Sequence, residues 1–191
     1  MSYEPIDIDS SYRENDLGRF IYDSVIRLKP KKVVEFGTLN GYSAVAIAMG
    51  LRDNGFGKLH AYDLWEKYPY KRAQQEKCIE NIKRYSLEDL VILGQVDFKD
   101  WLECPEDFDL LHIDISNTGD ILKTAVNALK HKVSAGSTII FEGGSSSRDE
   151  VEWMVKYNKK PMHPLKKELG YEILCEDHPS ISIIEKPRAV K

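Results

Sequence analysis

The sequence has little cysteine, no long apolar run and no excess of positive charge. Its 191 residues include only three cysteines, Cys78, Cys104 and Cys175, which are scattered and form no C-x-x-C pair. This odd, dispersed set argues against a disulfide framework and indicates reduced thiols in a cytoplasmic protein. No stretch is long and apolar enough to predict a bilayer-spanning helix. The acidic first ten residues also lack the apolar region of a secretory signal.

The charge balance narrows the range of expected partners. The formal net charge is −4 at pH 7, and basic residues cluster only within residues 29–32 and at Lys156, Lys159 and Lys160. Nucleic-acid-binding proteins usually carry a broader basic stripe, so we expect neither a nucleic-acid partner nor a membrane partner. The hydrophobic fraction of 42% is ordinary for a globular protein, and the length predicts a single domain over residues 1–191.

The strongest positive signal is the segment V-V-E-F-G-T-L-N-G-Y-S-A-V-A at residues 33–46. It predicts a buried strand, a glycine turn and the start of an apolar helix. Gly37 and Gly41 allow a sharp turn and a close approach of the backbone to a ligand. Amides at the start of the new helix favour a negative group. The pattern indicates a cofactor site, and a strand–turn–helix unit without a ligand is the plainer alternative.

Two cofactors fit such a turn, a dinucleotide and S-adenosylmethionine. The dinucleotide fingerprint G-x-G-x-x-G fails, because three residues separate Gly37 from Gly41 and no third glycine follows. The carboxylate of Glu35 would repel a pyrophosphate, whereas S-adenosylmethionine carries a positive sulfonium and a positive ammonium group. The residues therefore favour S-adenosylmethionine, with Glu35, Gly37 and Gly41 as cofactor-binding residues.

The segment E-F-G-T-L-N-G-Y-S-A-V resembles the first motif of class I S-adenosylmethionine-dependent methyltransferases. The variant is closest to small-molecule O-methyltransferases of the catechol and caffeoyl-CoA type. A second segment, L-H-I-D at residues 111–114, resembles bacterial methyltransferases that act on sugars and related natural products. The resemblance implies an α/β fold. This is a Rossmann-like three-layer sandwich whose seven-stranded, mostly parallel sheet ends in an antiparallel C-terminal hairpin.

The order of predicted elements agrees with that fold, because helix and strand patterns alternate along the chain. Strands are predicted at residues 32–36, 58–62, 90–93, 108–113, 137–141, 170–175 and 180–185, and helices at residues 14–28, 42–51, 71–85, 98–102 and 120–130. Residues 1–30 form an N-terminal helical extension in this prediction. Residues 143–169, which contain flexible glycine, serine and proline segments, are predicted to be a substrate lid.

Acidic residues mark the ends of the first five predicted strands: Glu35, Asp63, Asp97, Asp114 and Glu142. Ligands of open α/β sheets bind beyond the carboxyl ends of the strands. Five acids at matching strand ends are hard to attribute to chance. They therefore locate the predicted site at this edge of the sheet.

The resemblance gives several of these positions a role in holding the cofactor. Asp63 is expected to accept hydrogen bonds from both ribose hydroxyls. Asp97 is expected to accept one from the adenine amino group, with Phe98 lining the ring. Tyr42 and Ser43, together with nearby amides, are expected to hold the cofactor carboxylate. Helix capping is the alternative role for Asp63 and for Asp97.

Asp114 and Glu142 are the predicted catalytic residues and the predicted metal ligands. The resemblance implies that Asp114 binds a divalent cation beside the methyl-transfer site, and Glu142 offers a second hard oxygen ligand for Mg²⁺. The chain departs from the metal-dependent pattern in two places. Gly143 replaces an Asn ligand, and Asn117 replaces the lysine base of catechol-type enzymes. Without a cation, either carboxylate can accept the hydroxyl proton, so both mechanisms stay open.

Three further residues have two interpretations each. His112 is expected to be a hydrogen-bonded core histidine, with a catalytic role as the alternative. Trp65 is expected either to pack against adenine or to lie in the core. Arg148, in the predicted lid, is the candidate for recognising an anion, although an exposed arginine is often only solvated.

These observations predict a cytoplasmic enzyme that transfers a methyl group from S-adenosylmethionine to a small-molecule acceptor, at a hydroxyl oxygen. Two alternatives stay open. One is a non-catalytic S-adenosylmethionine-binding relative whose acceptor site has decayed. The other, less favoured, is a nucleotide-dependent Rossmann oxidoreductase. Sugar hydroxyls, phenols and hydroxy acids are all open as acceptors, and the N-terminal helix could pair two subunits in a homodimer.

Overall fold

The computed structural model describes residues 3–68 and 73–185. Within them, seven strands form one sheet in the order β3-β2-β1-β4-β5-β7-β6. The strands are β1 Lys32–Phe36, β2 Lys58–Asp63, β3 Val91–Gln95, β4 Leu110–Ile113, β5 Thr138–Glu142, β6 Glu172–Cys175 and β7 Ile181–Ile184. Strands β1 to β5 are parallel, and β7 runs antiparallel to both β5 and β6. The predicted fold class is confirmed.

Helices cover both faces of this sheet. They are α1 Leu17–Leu28, α2 Tyr42–Asn54, α3 Gln75–Arg84, α4 Phe98–Glu103, α5 Gly119–Ser134, α6 Ser146–Asp149, α7 Glu152–Lys156 and α8 Lys166–Leu169. Short 3₁₀ turns occur at Ser11–Arg13, Trp65–Lys67, Glu88–Leu90 and His163–Leu165. Among the described residues, none of the helices is both long and apolar enough to span a membrane.

Several predicted element ends are wrong for local reasons. The first helix begins at Leu17 instead of residue 14, because Asp16 is left-handed with φ of 46° and interrupts the helical path. Within the predicted lid, a short helix begins at Ser146, because Ser145 caps it by accepting the Arg148 amide. The predicted helix at 71–85 begins at Gln75, and its first two residues lie outside the described part.

The apolar core consists of two layers, one on each side of the sheet. On one side, α1 and α2 pack together with Ile6, Ile8 and Tyr12 of the N-terminal segment. On the other side, Phe36 and Phe141 pack against residues of α4 and α5. The alternation of side chains along β1 explains this division, because Val33 belongs to the first layer and Val34 to the second.

The sheet topology brings the predicted site residues to one edge. All five parallel strands run in the same direction, so their carboxyl ends meet there. The chain order reverses between β1 and β4, which is the switch point where ligands of open α/β sheets bind. The register pairs Phe36 with Ile113 and Ile113 with Phe141. Gly37 and Asp114, which follow β1 and β4, and Glu142, the last residue of β5, therefore lie at neighbouring strand ends.

Candidate active site

The turn after β1 needs glycine because another strand end lies against it. Gly37 has φ of +94°, and a Cβ atom built there would lie 1.7 Å from the carbonyl oxygen of Asp114. Gly41 has φ of +89°, and its amide donates to the carbonyl of Thr38 across the turn at 2.7 Å. The sequence predicted that these glycines bring the backbone close to a ligand. The structure adds that Gly37 first accommodates the backbone of Asp114.

Glu35 and His112 form a buried pair at the switch point. They lie opposite each other on β1 and β4, and Oε1 of Glu35 is 3.0 Å from Nδ1 of His112. Both side chains are buried, yet Oε2 of Glu35 and Nε2 of His112 have no hydrogen-bond partner among the described residues. One ring nitrogen of His112 is therefore hydrogen-bonded, as expected of a core histidine, and the other has no partner among the described residues. The open oxygen of Glu35 suits a ligand that carries N–H groups or positive charge.

Asp63 connects the end of β2 to the glycine turn. Its Oδ2 accepts the amide of Leu39 at 2.8 Å, and its Oδ1 accepts the amide of Trp65 at 2.8 Å. The indole nitrogen of Trp65 donates to the Leu39 carbonyl at 3.0 Å, and Trp65 has no exposed surface. Trp65 is therefore a core residue. Asp63 holds the glycine turn against the end of β2, and because each carboxylate oxygen has further acceptor capacity, ribose binding stays a prediction.

Asp97 and Phe98 have structural roles at the end of β3. Asp97 caps α4 by accepting the amide of Lys99 at 2.8 Å, which is the alternative that the sequence left open. The ring of Phe98 packs in the second apolar layer, 4.9 Å from the centroid of Phe36 and stacked on Trp101. Their predicted contacts with adenine stay predictions.

Tyr42 and Ser43 begin α2, and their side chains are both buried. The ring of Tyr42 meets Tyr12 edge-on, with centroids 6.1 Å apart, and packs against Gly18 at the start of α1. This side chain therefore anchors the N-terminal segment. The contribution of Tyr42 to a cofactor site would come from its backbone, and the hydroxyl of Ser43 stays the predicted ligand of the cofactor carboxylate.

Tyr12 is a site residue that the sequence did not indicate. Its ring meets His112 edge-on at 6.2 Å, and its side chain is buried. Burial raises the pKa of Tyr12 well above its usual value, and the nearby carboxylates of Asp114, Glu142 and Glu35 raise it further. These three acids therefore disfavour ionisation of the phenol. No spacing or motif in the N-terminal segment marks Tyr12, because only the tertiary fold places it over the strand ends.

Glu142 forms a buried ion pair with Arg148. Nε of Arg148 donates to Oε1 of Glu142 at 2.5 Å, and Nη2 donates to Oε2 at 2.9 Å. Both side chains are buried, and Arg148 keeps only 3% of its surface exposed. Recognition of a ligand anion by Arg148 stays a prediction, and in the structure this side chain binds the carboxylate of Glu142. The short helix α6, capped at Ser145, turns Arg148 back onto the end of β5.

Asn117 completes this arrangement from the loop after β4. Its side-chain amide donates to the carbonyls of Ile113 and Glu142, and its own carbonyl accepts from Nη2 of Arg148 at 3.3 Å. The guanidinium also lies over the ring of Trp153, 4.9 Å from the centroid. Asn117, at the position where the resembling enzymes carry a lysine base, therefore fastens two strand ends and helps to fix Arg148.

A family model of a methyltransferase domain matches residues 34–142, which is more than half of the chain and includes all five acidic strand ends. The chain belongs to this methyltransferase-domain family. No curated protein matches this methyltransferase. The predicted family is confirmed, and nothing in the comparisons supports the oxidoreductase alternative.

Solved methyltransferases share its fold. The O-methyltransferase TomG of Streptomyces achromogenes, involved in tomaymycin synthesis and solved with S-adenosylmethionine, is 16% identical. The match covers 93% of this chain and 90% of TomG, with a TM-score of 0.61. An O-methyltransferase of Bacillus cereus, solved with S-adenosylhomocysteine, is 18% identical over 95% of this chain and 84% of its own, with a TM-score of 0.63. PaMTH1 of Podospora anserina, also bound to S-adenosylhomocysteine, is 19% identical over 94% and 80%, with a TM-score of 0.62.

A cavity of about 430 Å³ in the methyltransferase lies beside Trp153, the residue whose ring is covered by the guanidinium of Arg148. It lies between the start of α5 and the chain after α7, and is lined by Ser116, Thr118, Asp120, Ile121, Trp153, Tyr157, Asn158, Lys159 and Lys160. The predicted lid, residues 143–169, thus supplies one wall of this cavity. Asp149 holds the segment in place by accepting the amides of Met162 and His163 at 2.8 and 2.7 Å.

Proposed function

We propose that this methyltransferase transfers a methyl group from S-adenosylmethionine to a hydroxyl oxygen of a small molecule. The observation that carries the proposal is the open Glu35 carboxylate oxygen, buried beside the glycine turn of a chain that belongs to a methyltransferase family. The buried oxygen needs a donor, and the ammonium group of S-adenosylmethionine would supply one. Related folds solved with S-adenosylmethionine or its product support the same cofactor.

The cofactor, when bound, supplies a methyl group already activated on a sulfonium. Glu35 and Ser43 would hold its amino-acid end, and Asp63 its ribose. Asp97 and Phe98 would lie at the adenine. Gly37 and Gly41 keep the turn open for it, and the backbone at Tyr42 starts the helix that faces it. With the cofactor fixed in this way, the protein must align the acceptor, exclude water and accept a proton.

Asp114 is the proposed proton acceptor. It follows β4 directly, adjoins the glycine turn through its backbone and lies close to the buried Tyr12. A positioned carboxylate contributes on the order of 10²–10⁴-fold to such a reaction. Glu142, whose oxygens are engaged by Arg148, would act by holding the guanidinium in place. We also propose that the enzyme is cytoplasmic and that two copies form a homodimer.

A calorimetric titration with S-adenosylhomocysteine tests the cofactor. We expect binding to the wild type, and weaker binding by about 1–3 kcal/mol in Asp63→Asn, because a charge-assisted acceptor is lost. Asp100→Asn, which removes an exposed acid of α4, is the matched control and should bind like the wild type. Binding of NAD in place of S-adenosylhomocysteine would refute the proposal.

A methyl-transfer screen over phenols, sugars and hydroxy acids tests the reaction. In Asp114→Asn we expect S-adenosylhomocysteine to bind normally while turnover falls by at least about 100-fold, since only the proton acceptor is lost. Cofactor binding with no turnover of any acceptor would favour the non-catalytic alternative. Unchanged turnover in Asp114→Asn would remove Asp114 from the mechanism.

A further inference from the structure

The residues at the end of β5 do not fit the divalent cation that the family resemblance implies. Both oxygens of Glu142 already accept hydrogen bonds from Arg148. A metal bound there would have to displace a buried guanidinium or lie beside its positive charge, which is unfavourable at short distance. Among residues 3–68 and 73–185, no group of three His, Cys, Asp or Glu side chains is arranged to hold a metal ion.

Arg148 is fixed on several sides and yet keeps a donor open. Glu142 and the carbonyl of Asn117 engage Nε and Nη2, and the ring of Trp153 covers the guanidinium. Nη1 is buried and has no hydrogen-bond partner among the described residues. A buried charged donor without an acceptor is costly. An open Nη1 on a side chain that is otherwise held so firmly therefore points to a ligand.

We propose that the guanidinium of Arg148 takes the place of the divalent cation, with Nη1 donating to the oxygen of the acceptor. The inference rests on the proposed function. The cavity between α5 and the chain after α7 is lined by Trp153, against whose ring the guanidinium lies, and by Ser116 and Thr118, which flank Asn117. This is where an acceptor would lie. A fixed cation favours acceptors whose reacting oxygen becomes anionic easily, so the site should prefer phenols to aliphatic alcohols.

The reaction balances without a metal. The acceptor oxygen forms a bond to the methyl carbon while the carbon–sulfur bond breaks and its electron pair returns to sulfur. The hydroxyl proton passes to the carboxylate of Asp114. Arg148 keeps its own protons, because a guanidinium is not deprotonated in proteins, and stabilises the negative charge that develops on the oxygen. Glu142 is then a positioning residue that acts through Arg148.

Calorimetric titration with Mn²⁺ tests the replacement without any turnover. We expect no stoichiometric binding to the wild type. In Arg148→Ala the carboxylate of Glu142 is released, and we expect Mn²⁺ to bind. The double variant Arg148→Ala/Glu142→Gln should lose that binding again. Stoichiometric Mn²⁺ binding to the wild type that disappears in Glu142→Gln would overturn the proposal, as would absence of binding to a folded Arg148→Ala.

S-adenosylhomocysteine binding reports whether each variant is folded. If Arg148→Ala does not bind S-adenosylhomocysteine while the wild type does, this variant is not folded. The Mn²⁺ titrations of the wild type and of Arg148→Lys then decide whether Arg148 excludes the metal. If the wild type itself binds no S-adenosylhomocysteine, the proposed function fails, and the Mn²⁺ titration still shows whether Arg148 excludes a metal. The two proposals therefore fail in distinguishable ways.

Turnover with a series of phenols provides the second test. Arg148→Met should lower kcat by about 100-fold, which is typical for losing one oxyanion donor, with cofactor affinity unchanged. The rate of Arg148→Met should also depend more steeply on the pKa of the phenol than the wild-type rate does. Arg148→Lys should keep part of the kcat that Arg148→Met loses. Arg19→Met, which removes an exposed arginine paired with Asp23, is the matched control. Inhibition of the wild type by EDTA with recovery on adding Mn²⁺ would contradict the proposal.

Discussion

Glu35 and His112 are joined across the two central strands by a 3.0 Å hydrogen bond, and each keeps one buried polar atom open. The pair lies at the switch point of the sheet, directly below the strand ends that carry Gly37 and Asp114. A buried pair of this kind depends on both members, because removing one leaves the other without its partner. It also connects the stability of the core to the predicted cofactor site.

A double-mutant cycle measures this dependence. His112→Leu leaves the Glu35 carboxylate buried and unpaired, and should lower the free energy of unfolding by about 3–5 kcal/mol. Glu35→Leu/His112→Leu removes both polar groups and should cost less than the sum of the two single variants, with a coupling of about 1–3 kcal/mol. Urea unfolding without cofactor gives the four free energies. Simple additivity would show that the pair does not act as a unit.

Gly37→Ala should be far more damaging than alanine at another left-handed glycine. A Cβ atom at residue 37 would lie 1.7 Å from the Asp114 carbonyl, so β1 and β4 would have to separate. Gly55 also has positive φ, but a Cβ there meets nothing within 4 Å, so Gly55→Ala should cost only about 1–2 kcal/mol of backbone strain. Thermal unfolding compares the two. If the two variants lose equal stability, the backbone around residue 37 can move away from the Asp114 carbonyl at little cost.

Alkaline pH should destabilise the fold partly through Tyr12. Burial and the surrounding carboxylates raise the pKa of Tyr12 well above its usual value, so above about pH 10 the unfolded chain loses this proton while the folded chain keeps it. The unfolded state then binds fewer protons, and stability falls as pH rises, by up to about 1.4 kcal/mol per pH unit. Tyr12→Phe should lessen this fall.

Urea unfolding at pH 8 and pH 10.5 measures the effect of Tyr12→Phe. Tyr157→Phe removes the hydroxyl of an exposed tyrosine and serves as the matched control. If Tyr12→Phe loses as much stability between the two pH values as the wild type, the phenol is not held protonated among these carboxylates.

Cys78 should be unreactive in the folded protein. Burial raises the pKa of its thiol to about 12, and the nearby carboxylates of Glu35 and Asp63 add to the shift. Little thiolate therefore forms at pH 8, and alkylation requires the thiolate. We expect iodoacetamide to modify the exposed Cys104 first and Cys78 only after unfolding in urea, as mass spectrometry of the peptides would show. Equal labelling of both in the native protein would contradict this.

The sequence predicted the order in which strands and helices follow one another along the chain, and the edge of the sheet at which the site lies. Residues 33–46 carry a strand, a turn and a helix in a single continuous segment, and such local signals do not depend on distant residues. Strand β1 was predicted at its observed bounds for this reason. The acids at the strand ends were found in the same way, since each directly ends or follows its own apolar run.

Roles that depend on contacts between distant residues could not be predicted. Capping by Asp97 is a local bond two residues long, and the sequence offered it as an alternative. Asp63, by contrast, accepts a hydrogen bond from the amide of Leu39, 24 residues away, and no sequence pattern predicts that bond. The burial of Arg148 could not be predicted either, because it depends on the short helix that turns this side chain back onto β5.

The sequence by itself therefore determined the α/β class, the strand and glycine turn at residues 33–46 and the edge of the sheet that carries the acids, because periodicity and turn chemistry are properties of short segments. The methyltransferase family was indicated by the resemblance of that segment. Only the tertiary structure decided that Tyr12 packs against His112, that His112 pairs with Glu35 and that Arg148 engages both carboxylate oxygens of Glu142. These arrangements depend on the register of neighbouring strands and on where separate segments meet, and a buried charge can be recognised only once its partner has been located in space.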